Sequence, residues 1–195
     1  VATGFALAVS YPRAGNLGGG GFMLVHLAEE NRQLLIDYRE IAPAAASRDM
    51  FLDAAGEVDR TKEFFSHQST GVPGTVAGLL HALDKYGSMS RAQVLAPAIA
   101  LAREGMEVSF SLNFELEARS ERLRQNDEAR RIFFRPDGEP LAMGATLVQT
   151  DLAWTLLEIS DRGAAGFYGG EVARRIAPDM AANCGLITAA DPAAY

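Results

Sequence analysis

Four consecutive glycines, Gly18 to Gly21, stand directly before the apolar run FMLVHL. Glycine gives up more conformational freedom on folding than any other residue. A run of it therefore marks a place where backbone must approach backbone or adopt positive φ. A phosphate loop puts its glycines after a strand and before a helix N-terminus, whose amides hold the anion. Here the order is inverted: an apolar helical pattern, then Pro12, the glycines and a strand. The lysine of a phosphate loop is missing too, because Phe22 and Met23 follow the glycines. The run reads as a tight, buried entry into a central strand, and as part of a pocket wall.

The segments GFMLVHL and QLLIDYRE flank the polar AEENR and predict a β-hairpin near residues 21–40. The second run is almost continuously apolar, the pattern of a strand buried on both faces. Most of the remainder is helical in period. VATGFALAVSY is an apolar helix stopped by Pro12, and it begins abruptly at Val1 with no N-cap before it, as a fragment would. GVPGTVAGLLHALDKYG places Val76, Leu79, Leu80 and Leu83 on one helical face. SRAQVLAPAIALAREG starts with Ser90 and Gln93 at capping-box spacing, and its Pro97 predicts a kink or a later start. Helices are also expected in SFSLNFELEARSERLRQ, NDEARRIFF, TDLAWTLLEISDRG and EVARRIAPDMAA. After IAPAAASRDMF the chain reads as irregular through about residue 70, with a turn at Gly56. The fold class is α+β, helix-rich, and the 195 residues read as one domain or part of one.

Composition excludes several function classes. Twenty-five acidic against 18 basic residues give a formal charge of −7, the wrong sign for a nucleic-acid footprint. No window holds the ~20 uninterrupted apolar residues of a membrane span. The opening VATGFALAVSYP has neither the basic stretch nor the cleavage site of a signal peptide. Cys184 is the only cysteine, so an internal disulfide and a multi-cysteine zinc site are both ruled out. It reads as a buried, inert thiol. His26, His67 and His81 are scattered without metal-ligand spacing. Neither a metal nor a cofactor is expected.

The other concentrated signal is IDYRE, where Asp37, Arg39 and Glu40 end an apolar strand. A guanidinium is a planar, permanently charged fork suited to gripping a carboxylate with two parallel hydrogen bonds. The structural alternative is a salt bridge from Arg39 to Glu40, Asp37 or Asp49 that pins the following loop. Glu40 would then orient Arg39 rather than touch a ligand.

Five segments occur in a fixed order: LGGGGFMLVH, LLIDYREIAPAAASRDMF, STGVPGTVAGLLHALDKYG, LAPAIALAREG and CGLITAADPAAY. Together they resemble the large subunit of gamma-glutamyltransferases (gamma-glutamyltranspeptidases), which are N-terminal-nucleophile hydrolases. The resemblance runs along the whole chain. It implies that the complete protein is a four-layer αββα sandwich that transfers or hydrolyses γ-glutamyl groups, as from glutathione. It further implies that Arg39 holds the substrate's α-carboxylate, that Glu40 supports it, and that the protein is periplasmic or extracellular. Where the family usually has phenylalanine, this chain has Tyr38.

The family's nucleophile is a threonine exposed at the head of a separate small subunit by self-cleavage, and its free amine serves as the base. Val1 has no hydroxyl, and every threonine here is internal. No catalytic residue is therefore assigned to this chain. The chain reads as a fragment of the large subunit, inactive alone, whose partners are the small γ-glutamyl substrate and the small subunit cut from the same precursor. Alternatives are a relative of the cephalosporin acylases or of poly-γ-glutamate-processing enzymes, or a non-catalytic module on the same scaffold.

Overall fold

The computed structural model describes the backbone of residues 1–195 and every side chain except that of Ala194. The chain forms two compact units interleaved in sequence. The first comprises residues 1–16 and 92–157, and the second residues 17–91 and 158–195.

The elements run in chain order as α1 (Ala2–Ser10), β1 (Phe22–Leu27), β2 (Arg32–Asp37), α2 (Arg60–Phe65), α3 (Thr75–Tyr86), α4 (Arg91–Glu104) and β3 (Met106–Glu107). They continue as α5 (Phe110–Ala118), α6 (Ser120–Leu123), α7 (Asp127–Phe133), β4 (Thr146–Leu147), α8 (Thr150–Arg162), α9 (Ala164–Tyr168), α10 (Glu171–Ala182) and α11 (Ala190–Ala194). The hairpin, the helix-rich character and the α+β class are as the sequence predicts. No helix among the described residues is long and apolar enough to cross a membrane.

In the first unit, Val108, Leu112, Leu116 and Leu147 form a buried cluster covered by Met106, Leu123, Ile132, Phe133 and Leu141. Side-chain caps fix the helix starts. The Ser109 hydroxyl accepts from Leu112 N, and the Asn126 side chain accepts from Ala129 N, each satisfying an orphan first-turn donor. Gln149 is buried, and its Nε2 donates to Val9 O at 2.9 Å, so no polar group is stranded there.

The second unit holds the hairpin. β1 and β2 pair antiparallel from Phe22↔Asp37 to Leu27↔Arg32, with Asn31 at φ 45° in the turn. The ladder runs on past β2, since Gly21 and Tyr38 exchange both backbone hydrogen bonds at 3.3 and 3.0 Å. The α3 helix opens after Gly74 and ends at Gly87, as read, and buries Val76, Leu79, Leu80 and Leu83.

Four expectations are corrected. β2 is not buried on both faces: Leu35 is 62% exposed and sits opposite Leu24, which is 74% exposed. Along β1, and from Gln33 to Asp37 in β2, exposure alternates, so one face of the two-stranded ladder is half-buried and the other is uncovered among the described residues. The stretch taken as irregular contains α2, whose start is fixed by Asp59 accepting from Thr61 N and Lys62 N. Six residues are too few to show a period, so only that cap betrays the helix. Of the two outcomes expected of Pro97, the later start does not occur, since α4 begins at Arg91 with Pro97 inside it.

Cys184, read as buried, is exposed. It follows α10 at φ 58°, while Gly185 N donates back to Met180 O at 2.7 Å. That is the left-handed reversal that closes a helix, and it turns the side chain outward.

Candidate functional site

Arg39 is carried by Tyr38–Arg39–Glu40, just beyond β2, and glycines from two segments close around this tripeptide. A Cβ on Gly20 would lie 2.5 Å from Tyr38 O and 2.6 Å from Glu40 N. A Cβ on Gly74 would overlap Tyr38 O, and one on Gly78 would overlap the root of the Tyr38 ring at Cγ. On Gly71 it would come 2.8 Å from the Glu40 Cβ. The glycine run is thus a close-approach device, as the sequence indicates, and the glycines of VPGTVAG complete it from the other side.

Hydrogen bonds join the two segments. Gly19 O accepts from both Gly74 N, at 2.8 Å, and Thr75 N, at 2.9 Å. The α3 helix has no side-chain cap, so this carbonyl takes up an amide that its first turn would otherwise leave orphaned. The Tyr168 hydroxyl accepts from Ala77 N at 3.1 Å and donates to Pro73 O at 2.8 Å. Burial pushes that phenol up to about 12, so it stays protonated and able to do both. On the far side of the tripeptide, Ile41 and Val72 exchange backbone bonds at 3.3 and 2.8 Å.

The segment Ile187–Tyr195 ties the same loop from a third direction. Tyr195 stacks on Tyr168, with ring centroids 5.8 Å apart and 5° between planes, and its hydroxyl donates to Arg39 O at 3.0 Å. Asp191, only 7% exposed, accepts from Ala44 N at 2.8 Å through Oδ1. Its Oδ2 accepts from both Thr188 N and Thr188 Oγ1, each at 2.7 Å. The amides of Ala44 and Thr188, with the Thr188 hydroxyl, hold this carboxyl below its ordinary value of 3.8.

A carboxyl with a depressed folded-state pKa stabilises the fold above its unfolded value, and that stability is lost as pH falls through the folded one. Asp191→Asn is therefore expected to lower the unfolding midpoint of this chain at pH 6. The difference from wild type should shrink as pH drops below 3.8. A thermal-melt series across pH reads this, and a difference independent of pH would contradict it.

With its backbone held, Arg39 presents its side chain outward. The side chain is 69% exposed, and its Nε lies 3.5 Å from Glu40 Oε2, with the Glu40 side chain 34% exposed. An ion pair this open contributes only about 0–1 kcal/mol, so it orients the arginine without locking it away from an incoming anion. Of the alternative partners, Asp37 Oδ1 accepts from the Arg39 backbone N at 3.0 Å, and Asp49 pairs with Arg48.

The structure thus brings Arg39 and Glu40 together. A cavity of about 490 Å³ lies on the Tyr38 side, lined by Leu34 to Tyr38 and by Ala77, Gly78, His81, Tyr86 and Tyr195. Arg39 does not line it, and its glycine comes from α3 rather than from the Gly18–Gly21 run that the sequence suggested.

Sequence reasoning missed Asp191, Tyr168 and Tyr195. For the first a local signal exists. Thr188 and Asp191 stand at the Thr-x-x-Asp spacing of a capping box, and the bond from Thr188 N to the Asp191 carboxylate is half of that motif. The tyrosines act through tertiary contacts and leave no such trace.

The helix-rich α+β fold is that of N-terminal-nucleophile hydrolases, as its likeness to solved gamma-glutamyltranspeptidases shows. The sequence model of the gamma-glutamyltranspeptidase family matches residues 1–195, and the chain belongs to that family. It is 49% identical over 195 residues to the glutathione hydrolase proenzyme of Escherichia coli, covering 100% of this chain and 33% of that protein. It is 44% identical to the glutathione hydrolase proenzyme of a Pseudomonas species over 194 residues, 98% of this chain and 33% of that one. Among solved structures, the gamma-glutamyltranspeptidase of Helicobacter pylori superposes with a TM-score of 0.96 at 43% identity. That match covers 100% of this chain and 55% of the other. The chain thus spans about a third of the length of the curated relatives it matches.

Proposed function

We propose that the complete polypeptide carrying these residues cleaves γ-glutamyl amides of the glutathione type and passes the glutamyl group to water or to an acceptor amine. Arg39 grips the donor's α-carboxylate with its guanidinium fork, and Glu40 orients it. One observation carries the reading: the backbone of residues 38–41 is immobilised from three sides, while the cation it bears is left open to an anion. Preorganisation of this kind lets a charged side chain bind without first having to be ordered.

Residues 1–195 supply binding and not the nucleophile. In the complete protein, a threonine hydroxyl outside this chain attacks the γ-carbonyl. Its proton passes by way of the threonine's own free amine to the departing amine as the C–N bond breaks. Water or an acceptor amine then cleaves the resulting γ-glutamyl ester and restores the hydroxyl.

A chromogenic γ-glutamyl anilide tests this reading. The complete open reading frame is expected to release the anilide, and residues 1–195 alone are expected to release none. Preference for an acyl anilide with no glutamyl group would overturn it in favour of an acylase.

A further inference from the structure

We infer that Tyr195 is a positioning residue for Arg39: its hydroxyl, held by the ring stack on Tyr168, fixes the arginine's carbonyl and so the direction in which the guanidinium points. The inference rests on the reading of Arg39 as the carboxylate clamp.

The geometry isolates the effect. Tyr195 O–H donates to Arg39 O at 3.0 Å, and the two residues lie 156 positions apart, so the contact is made by tertiary folding alone. The ring is placed by its near-parallel stack on Tyr168 at 5.8 Å. Tyr168 is itself anchored through its hydroxyl to Pro73 O and Ala77 N at the start of α3. Position therefore passes from the first turn of α3 through two stacked phenols to the peptide of Arg39.

Asp191, four residues earlier, secures the same loop at Ala44 N, so the segment grips the strand exit at two points. The Gly74 Cα stands against both Tyr38 O and the Tyr195 hydroxyl, since a Cβ there would overlap both. On that side the tyrosine hydroxyl is packed directly against the backbone that opens α3. On the Arg39 side, the only restraint reaching the guanidinium itself among the described interactions is Glu40, at 3.5 Å. The aim of the side chain therefore depends on its backbone.

The test is a double-mutant cycle in the complete protein, with KM and kcat for a γ-glutamyl anilide and the melting midpoint read for Tyr195→Phe, Arg39→Lys and the pair. Tyr195→Phe keeps the ring and its stack and loses one hydrogen bond. It is expected to raise KM about two- to tenfold, with kcat within about twofold and the melting midpoint nearly unchanged. In the pair, it should add nothing to the effect of Arg39→Lys, because a misaimed lysine has no fork to lose.

A raised KM for Arg39→Lys with Tyr195→Phe unchanged would overturn the positioning role and leave the clamp standing. Independent, multiplying effects would likewise overturn it, since Tyr195 would then act elsewhere than through Arg39. No change in KM for either variant would remove the clamp and the inference together. Should Tyr195→Phe not accumulate, Asp191→Ala removes the acceptor that holds the same loop at Ala44, and the same non-additivity with Arg39→Lys is expected.

Discussion

Arg39→Lys, made in the complete protein, is expected to raise KM for γ-glutamyl donors roughly ten- to hundredfold while the fold is kept. The substitution preserves the positive charge and removes the two-pronged geometry. A lysine ammonium offers a point charge on a flexible stem, whereas the guanidinium meets both carboxylate oxygens at once. Loss of one charge-assisted hydrogen bond is worth ~1.5–3 kcal/mol, which gives the stated range. The native side chain is 69% exposed and its ion pair with Glu40 is loose, so the fold does not depend on the fork and stability should hardly move. Steady-state kinetics beside a melting curve separates the two. An unchanged KM would retire Arg39 as the clamp, and a collapse of the melting midpoint would show that its role is structural.

The second large effect belongs to Gly78→Ala. In an exposed helix interior, alanine is favoured over glycine by roughly 1 kcal/mol. Here the added methyl would meet the Cγ, Cβ and Cδ1 atoms of Tyr38, the root of the ring rather than its movable end. Relief requires the Tyr38 backbone to shift, and that backbone is already held by Gly21 and pressed by Gly74. Overpacking of this kind costs about 1–3 kcal/mol or more, enough to outweigh the propensity gain. Activity should fall further than stability in the complete protein, because Arg39 is the next residue.

Gly56→Ala is the control. Gly56 has φ 84° and no atom within 4 Å of the added carbon, so only the left-handed backbone penalty of ~1–2 kcal/mol applies, with no contact to Tyr38–Glu40. Denaturant melts of the two variants, with donor KM alongside, distinguish crowding from backbone strain. If Gly78→Ala left both stability and KM as they are, the close approach of α3 to Tyr38 would not be what holds the site.

What could be read from the sequence follows from the range of the interactions. Hairpin, α3 and α7 were legible because period, turn residues and caps are local, as at Asn31, Gly87 and Asn126. The glycine run was legible in kind, since only close approach or positive φ justifies such a loss of order. Its partner surface was not, because Gly74 and Gly78 lie more than fifty residues away and declare themselves only against Tyr38.

The double-sided burial expected of β2 failed for a related reason. An apolar run reports which residues can be covered, whereas Leu24 and Leu35 are apolar positions that the described residues leave uncovered. The charged end of an apolar strand singled out Arg39 and Glu40, but on spacing alone a salt bridge was the favoured reading, and the clamp role came from the resemblance carried by five ordered motifs. The structure shows that pair, Nε to Oε2 at 3.5 Å, and shows it too exposed to compete strongly with a ligand. The ties from Asp191 and Tyr195 lay beyond sequence reasoning, because 147 and 156 positions separate each from its partner.

The central claim is that one guanidinium recognises one carboxylate. It is tested most directly by comparing a γ-glutamyl anilide with the 4-aminobutyryl anilide, which keeps the amine and lacks the α-carboxylate. Both are assayed on the complete protein and on its Arg39→Lys variant. The account predicts that the native protein favours the carboxylated donor in kcat/KM by roughly tenfold or more, and that the variant loses most of this preference while turning over the decarboxylated donor as before. Equal discrimination by native and variant proteins would mean that the donor's carboxylate is held by something other than Arg39.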